Sequence, residues 1–214
     1  MKKPLFFQAM KLLPLFMVAS LTSKITHAEE PSGYVMHIQM VPAICMKDPQ
    51  KSKRRKCLEG YSLNVVGLYP ETKRRNCRTE TSAVLAPLQS KVVARVMPDE
   101  SARVDLWHSI GGCVDMSASK YFRTITNYAD RLKVPTELLA QQTHTVASAS
   151  IRQNFVRLNQ GLPLQSVHLE CEHYKAKPYL TGLKVCYDAN GRYRACGSEI
   201  QSNCPTRVTI QGSY

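Results

Sequence analysis

The chain has 214 residues, 29 Lys and Arg against 16 Asp and Glu, a formal net charge of +13, and 43% hydrophobic residues. That apolar content excludes a disordered polyelectrolyte, and the length suits one domain with its own core rather than two. The excess of cations selects anionic partners: nucleic acid, lipopolysaccharide phosphates or an acidic protein.

Residues 1–28 read as an export signal. Lys2, Lys3 and Lys11 form a positive leader, Leu12 to Leu21 an apolar core, and Thr26-His27-Ala28 resembles an Ala-x-Ala cleavage site. The apolar stretch is too short for a membrane span, and no Cys near the cut would carry a lipid. The expected mature domain is 29–214, without a transmembrane segment. Losing four lysines and no acid takes the charge from +13 to +9. All eight Cys lie in this part. In an exported, periplasmic or secreted chain an even number reads as four disulfides, although sequence alone permits about a hundred pairings. No Cys-x-x-Cys pair occurs, so no metal is expected, and nothing signals a cofactor.

Tyr34 to Met40 alternates loosely and reads as a strand stopped by Pro42. Cys45 to Cys57 encloses a polar, basic loop. Ser62 to Leu68 is the next strand, ended by Pro70. Val84, Leu85, Leu88, Val92 and Val96 then recur at helical spacing, which predicts a helix over Thr81–Val96 capped by Ser82. Ala102–Ile110 is a second helix closed by Gly111-Gly112. Ser117 caps a third, reaching Leu132 with Tyr121, Ile125, Tyr128 and Leu132 on one side. Thr145–Leu158 makes a fourth. Val167–Glu172, Tyr179–Tyr187 and Thr206–Ile210 return to strands, with a turn at Asp188-Ala189-Asn190-Gly191. Strands, a block of helices and strands again indicate an α+β domain.

Two segments carry a resemblance. Val66-Gly67-Leu68-Tyr69-Pro70 and Asp105-Leu106-Trp107-His108-Ser109-Ile110-Gly111-Gly112-Cys113 look like the two catalytic segments of the ribonuclease T2 family, whose bacterial members include periplasmic enzymes. In that family they read His-Gly-Leu-Trp-Pro and His-Glu-Trp-x-Lys-His-Gly-Thr-Cys, the second with a variable first His. Further matches are His37 to Cys45 with its Pro-x-x-Cys, Met97-Pro98, Tyr121-Phe122, and Tyr179 to Asp188, where Gly182 replaces a Glu. The resemblance implies a T2-like fold: a central, mainly antiparallel sheet, several helices and four disulfides. It pairs Cys77 with Cys113, Cys186 with Cys196 and Cys171 with Cys204, and leaves Cys45 for Cys57.

The same resemblance places the reactive positions at Val66, Leu106, Ser109 and Ile110. T2 enzymes move a proton off the ribose 2′-hydroxyl and protonate the leaving oxygen, which needs two groups titrating near neutrality. Val66 and Ile110 transfer no protons, and Leu106 and Ser109 carry no charge where the family's Glu and Lys assist the phosphate. The expectation is therefore a catalytically inactive protein that binds. His37 and His108 are the candidates for substitute chemistry. His108, however, lies about 160–200° around the helix from Leu106 and Ile110. His144, His168 and His173 show no partner spacing. The apolar face of Leu106, Ile110 and Val66 reads either as a filled cleft or as an apolar pocket offered to a partner.

Lys53-Arg54-Arg55-Lys56 and Lys73-Arg74-Arg75, followed by Arg78, are near copies, each just before a half-cystine. They bracket the strand that carries Val66. Read as binding loops they take RNA, another polyanion or an acidic envelope protein; otherwise they are solvated. Tyr61 and Tyr69 stack on bases or belong to the core. Three functions stand beside one another: an inactive T2-like binder that is monomeric alone, a divergent endoribonuclease producing 2′,3′-cyclic phosphates, and an accessory component of an envelope secretion or conjugation assembly.

Overall fold

The computed structural model describes residues 31–48 and 50–213; the expected export signal and its cleavage point lie outside them. Strand β1 (Gly33–Met40) pairs antiparallel with β2 (Leu63–Glu71) on one side and with β5 (Lys177–Asp188) on the other. β4 (Val167–Tyr174) takes the other edge of β5. β6 (Arg207–Ile210) touches β5 in parallel at Tyr179↔Thr209 and pairs antiparallel with β3 (His144–Ala147). The six-stranded sheet is thus mixed, mostly antiparallel, with the path β2-β1-β5-β6-β3 and β4 branching from β5.

Alternation along β1 divides the sheet into two faces. Met36, Ile38 and Met40 are buried, while His37 and Gln39 stay half-exposed opposite them. The buried side joins Tyr121, Phe122, Ile125 and Tyr128 of α5 (Ala118–Arg131) and Ile151 and Phe155 of α6 (Ser148–Leu158) in one core. Ser117 caps α5, its hydroxyl accepting from the Lys120 amide at 3.3 Å. The Tyr121 hydroxyl donates to the Leu68 carbonyl at 3.0 Å and accepts from the Leu68 amide at 3.1 Å, fixing α5 to β2. The half-cystines join as Cys45–Cys57, Cys77–Cys113, Cys171–Cys204 and Cys186–Cys196, the pairs the family resemblance implies.

Four local expectations change. The helix over Thr81–Val96 shortens to α3 (Pro87–Ala94). Proline pushes the residue before it out of the helical region, and Ala86 is extended, so 79–86 crosses the surface without a helix. The apolar series is also divided: Val84 and Leu88 are 86% and 76% exposed, Leu85 and Val96 pack partly against the core, and the fully buried side chain of α3 is Val93. Residues 145–147 of the expected fourth helix belong instead to β3, because pairing with β6 outweighs a weak helical pattern. The basic loop between Cys45 and Cys57 is bounded by two short helices that run into it, α1 (Val41–Lys47, with Pro42 in its first turn) and α2 (Arg55–Leu58). Strand β2 continues through Pro70, since it lies at the end of the sheet, where a missing N–H leaves no partner unpaired.

Candidate functional site

The β1–β2 register pairs His37 with Gly67 and Ile38 with Val65, so Val66 is the extra residue of a β-bulge. A bulge re-aims the side chain it carries. Val66 is half-buried there and lines a cleft of about 180 Å³ with Gln39, Arg54, Lys56, Asn64 and Asp99.

The cleft wall is mixed: Val65, Val66, Met97 and Ala102 are apolar, and the polar groups include two cations, Arg54 and Lys56. Lys56 is only 7% exposed; its ammonium donates to Gln39 Oε1 at 2.7 Å and lies 3.6 Å from Asp99 Oδ2. The Cys45–Cys57 disulfide ties α2 to α1 and so holds this ammonium in place. Asn64 is equally buried. Its Nδ2 donates to the Val65 carbonyl at 3.0 Å, but its Oδ1 has no partner among the described residues. A buried carbonyl oxygen left open in a cleft wall is an acceptor in want of a donor.

Helix α4 (Glu100–Ile110) closes the other side. A Cβ on Gly67 would stand 2.9 Å from Leu106 Cδ1, so the glycine admits the Leu106 side chain against the strand. Leu106 and Ile110 are both buried in the core. Ser109 is exposed and its hydroxyl donates to the Leu106 carbonyl at 2.7 Å. Of the four positions marked by resemblance, Val66 alone lines this cleft. Of the two readings of this face, the apolar pocket offered to a partner does not form at Leu106 and Ile110, because both side chains are used in packing.

The two basic copies have different structures. In the first, Arg55 pairs with Glu59 at 2.6 Å, Lys56 is buried in the cleft, Arg54 lines its rim and Lys53 is exposed. In the second, Lys73, Arg74, Arg75 and Arg78 are all exposed. Their backbone is anchored to the end of α4. The Gly112 amide donates to the Cys77 carbonyl at 2.8 Å, the Thr79 amide to the His108 carbonyl at 2.9 Å, and Trp107 Nε1 to the Thr81 carbonyl at 3.0 Å. Gly112 is needed for this approach, since a Cβ there would stand 2.6 Å from the Arg78 carbonyl oxygen. The second cluster therefore sits at the carbonyl end of α4, which favours cations, and the first beside its start. A helix of this length separates them by about 16 Å.

His108 lies apart from Val66, lining a pocket with Glu80, Glu100 and Arg103. His37 is the histidine next to the bulge: it stands directly across from Gly67, and partners in an antiparallel pair share a face. Its Nε2 contacts Glu170 Oε2, and Lys184 Nζ lies 2.7 Å from Glu170 Oε1. The hydrogen bond from His37, and behind it that from Lys184, hold the Glu170 carboxyl down at about 2 against the opposing effect of burial. Gly182 makes the cluster possible, as a Cβ there would stand 3.0 Å from Glu170 Oε2 and 2.9 Å from the Ile38 carbonyl. Gln39, Asn64, Asp99, Glu170 and Lys184 were not singled out by the sequence. They are scattered along it: strand register brings Gln39 to Asn64 and Glu170 to Lys184, and the start of α4 brings Asp99 to the cleft.

The other histidines are occupied or remote: His144 contacts the Gln142 carbonyl, His168 the Gln165 carbonyl, and His173 is exposed. Burial lowers the His168 pKa. Tyr61 donates to the Ala94 carbonyl at 3.2 Å and Tyr69 packs against the core, so neither is a free stacking platform. Among the described residues no group of three His, Cys, Asp or Glu could hold a metal, and no helix is long and apolar enough to cross a membrane.

No protein-family model matches the chain, and no curated protein matches it. Solved structures do. Ribonuclease MC1, known from bitter gourd seeds, matches as a mutant bound to 5′-GMP with TM-score 0.65 at 16% identity, over 84% of this chain and 99% of that one. Trichomaglin, described as an S-like ribonuclease, matches with TM-score 0.62 at 14% identity, over 86% and 98%. The SF11 self-incompatibility ribonuclease of Nicotiana alata matches with TM-score 0.61 at 11% identity, over 85% and 96%. At such identities the likeness is one of fold, and it runs almost end to end. The chain therefore has the α+β fold of the T2 ribonucleases, held by four disulfides.

Proposed function

We propose that this protein is an exported, catalytically inactive relative of T2 ribonucleases that binds single-stranded RNA. One observation carries the reading. The cleft at the Val66 bulge sets two cations, Arg54 and Lys56, with the polar Gln39, Asn64 and Asp99 around an apolar floor of Val65, Val66, Met97 and Ala102, while Val66, Leu106, Ser109 and Ile110 offer no acid–base pair or charge of the kind phosphodiester cleavage needs. Losing one acid or base removes about two to four orders of magnitude in rate, and here two are replaced by aliphatic side chains. Arg54, with Lys73, Arg74, Arg75 and Arg78 at the far end of α4, supplies phosphate contacts that need no proton transfer. Ribonuclease MC1, which shares the fold, has been solved with 5′-GMP and 5′-UMP, which supports a nucleotide polymer over an acidic envelope protein as the partner. Four disulfides suit a periplasmic or secreted location, and 29–214 is the domain that acts.

A second reading has its own observation. His37, Glu170 and Lys184 place an imidazole, a carboxylate and an ammonium on the sheet face one strand from Val66. That trio supports a divergent ribonuclease with a displaced base. One experiment separates the two. Purified protein is incubated with end-labelled single-stranded RNA, and both retention and 2′,3′-cyclic phosphate ends are scored. Binding without cleavage is expected. Cleavage that survives repurification and disappears in His37→Ala overturns the inactive reading in favour of the enzyme.

A further inference from the structure

At the far end of the core, a pocket of about 560 Å³ lies where the C-terminal end of α5, the C-terminal end of α6 and the turn after β5 meet. It is lined by Arg131, Lys133, Asn159, Gly191, Arg192 and Tyr193, with Leu158 also on its wall. None of these residues lines the Val66 cleft. The volume falls in the range of small-molecule sites.

The floor is already organised. Asn159 is only 4% exposed and makes four contacts: its Oδ1 accepts from the Lys133 amide at 2.8 Å and the Tyr193 hydroxyl at 3.4 Å, and its Nδ2 donates to the Lys133 and Phe155 carbonyls at 2.8 and 2.9 Å. Lys133 and Tyr193 are thus tied to one buried amide. Arg131 donates to the Gly191 carbonyl at 3.3 Å and lies 4.9 Å from the centre of the Tyr128 ring. A Cβ on Gly191, whose φ is +77°, would collide with the Tyr128 hydroxyl at 2.3 Å, so only glycine lets the turn close here.

Three cations face this space without acidic counterparts. Among the described residues no ion pair involves Arg131, Lys133 or Arg192. Asp188, which shapes the turn, accepts from the Asn190 and Arg192 amides at 2.8 and 2.9 Å. The Tyr193 ring is half-buried and packs on Tyr187 at 5.3 Å between centroids, the planes inclined by 37°. The Tyr187 hydroxyl behind it is buried, has no partner among the described residues, and has Tyr193 and Arg131 as electrostatic neighbours.

We propose that this pocket binds one nucleotide unit, its phosphate held by Arg131, Lys133 and Arg192 and its base laid against Tyr193. A bare phosphate or a lipid headgroup uses the cations but not the ring; a nucleotide uses both. The site is separate from the cleft and does not depend on how the cleft is read.

Calorimetric titration of the full protein with AMP, ribose 5-phosphate and inorganic phosphate tests it. AMP is expected to bind one site, at least about fivefold tighter than ribose 5-phosphate, the factor one stacked base contributes. Lys133→Glu with Arg192→Glu alters exposed side chains and is expected to weaken AMP at least about tenfold. Should that pair fail to fold, Lys133→Gln with Arg192→Gln is expected to weaken AMP at least about threefold. Equal affinity for AMP and ribose 5-phosphate, no AMP binding at millimolar concentration, or AMP binding indifferent to these substitutions overturns the proposal. So does binding of phosphatidylglycerol vesicles through the same residues without AMP binding. The readout is AMP affinity, so failure here is distinct from failure of RNA binding at the cleft.

Discussion

Val66 shows how much one residue's setting matters. By identity it is an aliphatic side chain at home in a strand; the bulge takes it out of the alternation and puts it in a cleft wall beside Gln39, Lys56 and Asn64. Glu170 illustrates the reverse: an ordinary carboxylate in sequence becomes the centre of a His37–Lys184 cluster. Folding lowers its pKa from 4.5 to about 2. Its contribution to stability is therefore complete above about 4.5 and is lost as pH falls through about 2. With solvent screening at a cluster about a quarter exposed, the amount is on the order of 1–2 kcal/mol. Urea unfolding of the native chain should weaken between pH ~4.5 and ~2 more steeply than that of Glu170→Gln. Parallel profiles for the two proteins would mean that the cluster does not couple to folding.

Among the elements, α4 and the segment 72–86 form a unit. The segment has no helix or strand of its own and holds its place through Cys77–Cys113, the Gly112 and Thr79 amides and the Trp107 indole. This unit presents Lys73, Arg74, Arg75 and Arg78. Cys77→Ser with Cys113→Ser should lower stability by about 2–4 kcal/mol and open 72–86 to protease before global unfolding. Limited proteolysis with mapping of the first cut checks this; a first cut elsewhere would assign the anchoring to the hydrogen bonds alone. Periodicity misleads in this stretch for a physical reason. Val84, Leu88 and Val92 carry helical spacing, but Pro87 sets the helix start, and burial falls to Val93. Ser117–Leu132 is legible because cap, periodicity and burial agree there.

Over the whole molecule, charge is divided between the ends of α4, with a third cationic group at the Tyr193 pocket. If RNA follows the first two clusters, the logarithm of affinity falls with the logarithm of salt concentration by about 0.7 for each phosphate contact. Replacing Arg54, Arg74 and Arg75 by Ala should reduce both affinity and that slope, by up to about 2 in the slope. Filter binding across a salt series measures it. An unchanged slope would move the RNA site away from these loops.

From the sequence alone came the α+β order of elements, the even set of half-cystines, the surplus of cations and, through short motifs, the likeness to T2 ribonucleases. These are local or compositional properties, readable wherever neighbouring residues agree. Tertiary structure decided that Leu106 and Ile110 are core while Val66 is cleft. It also decided that Lys56 is buried and its near copy is not, and that His37, Glu170 and Lys184 meet. Leu106, Ile110 and Lys56 owe their burial to how α4 and α2 pack. Val66 and the His37 cluster depend on register between strands distant in sequence, and a one-residue shift in pairing, here the bulge itself, changes which face a side chain occupies.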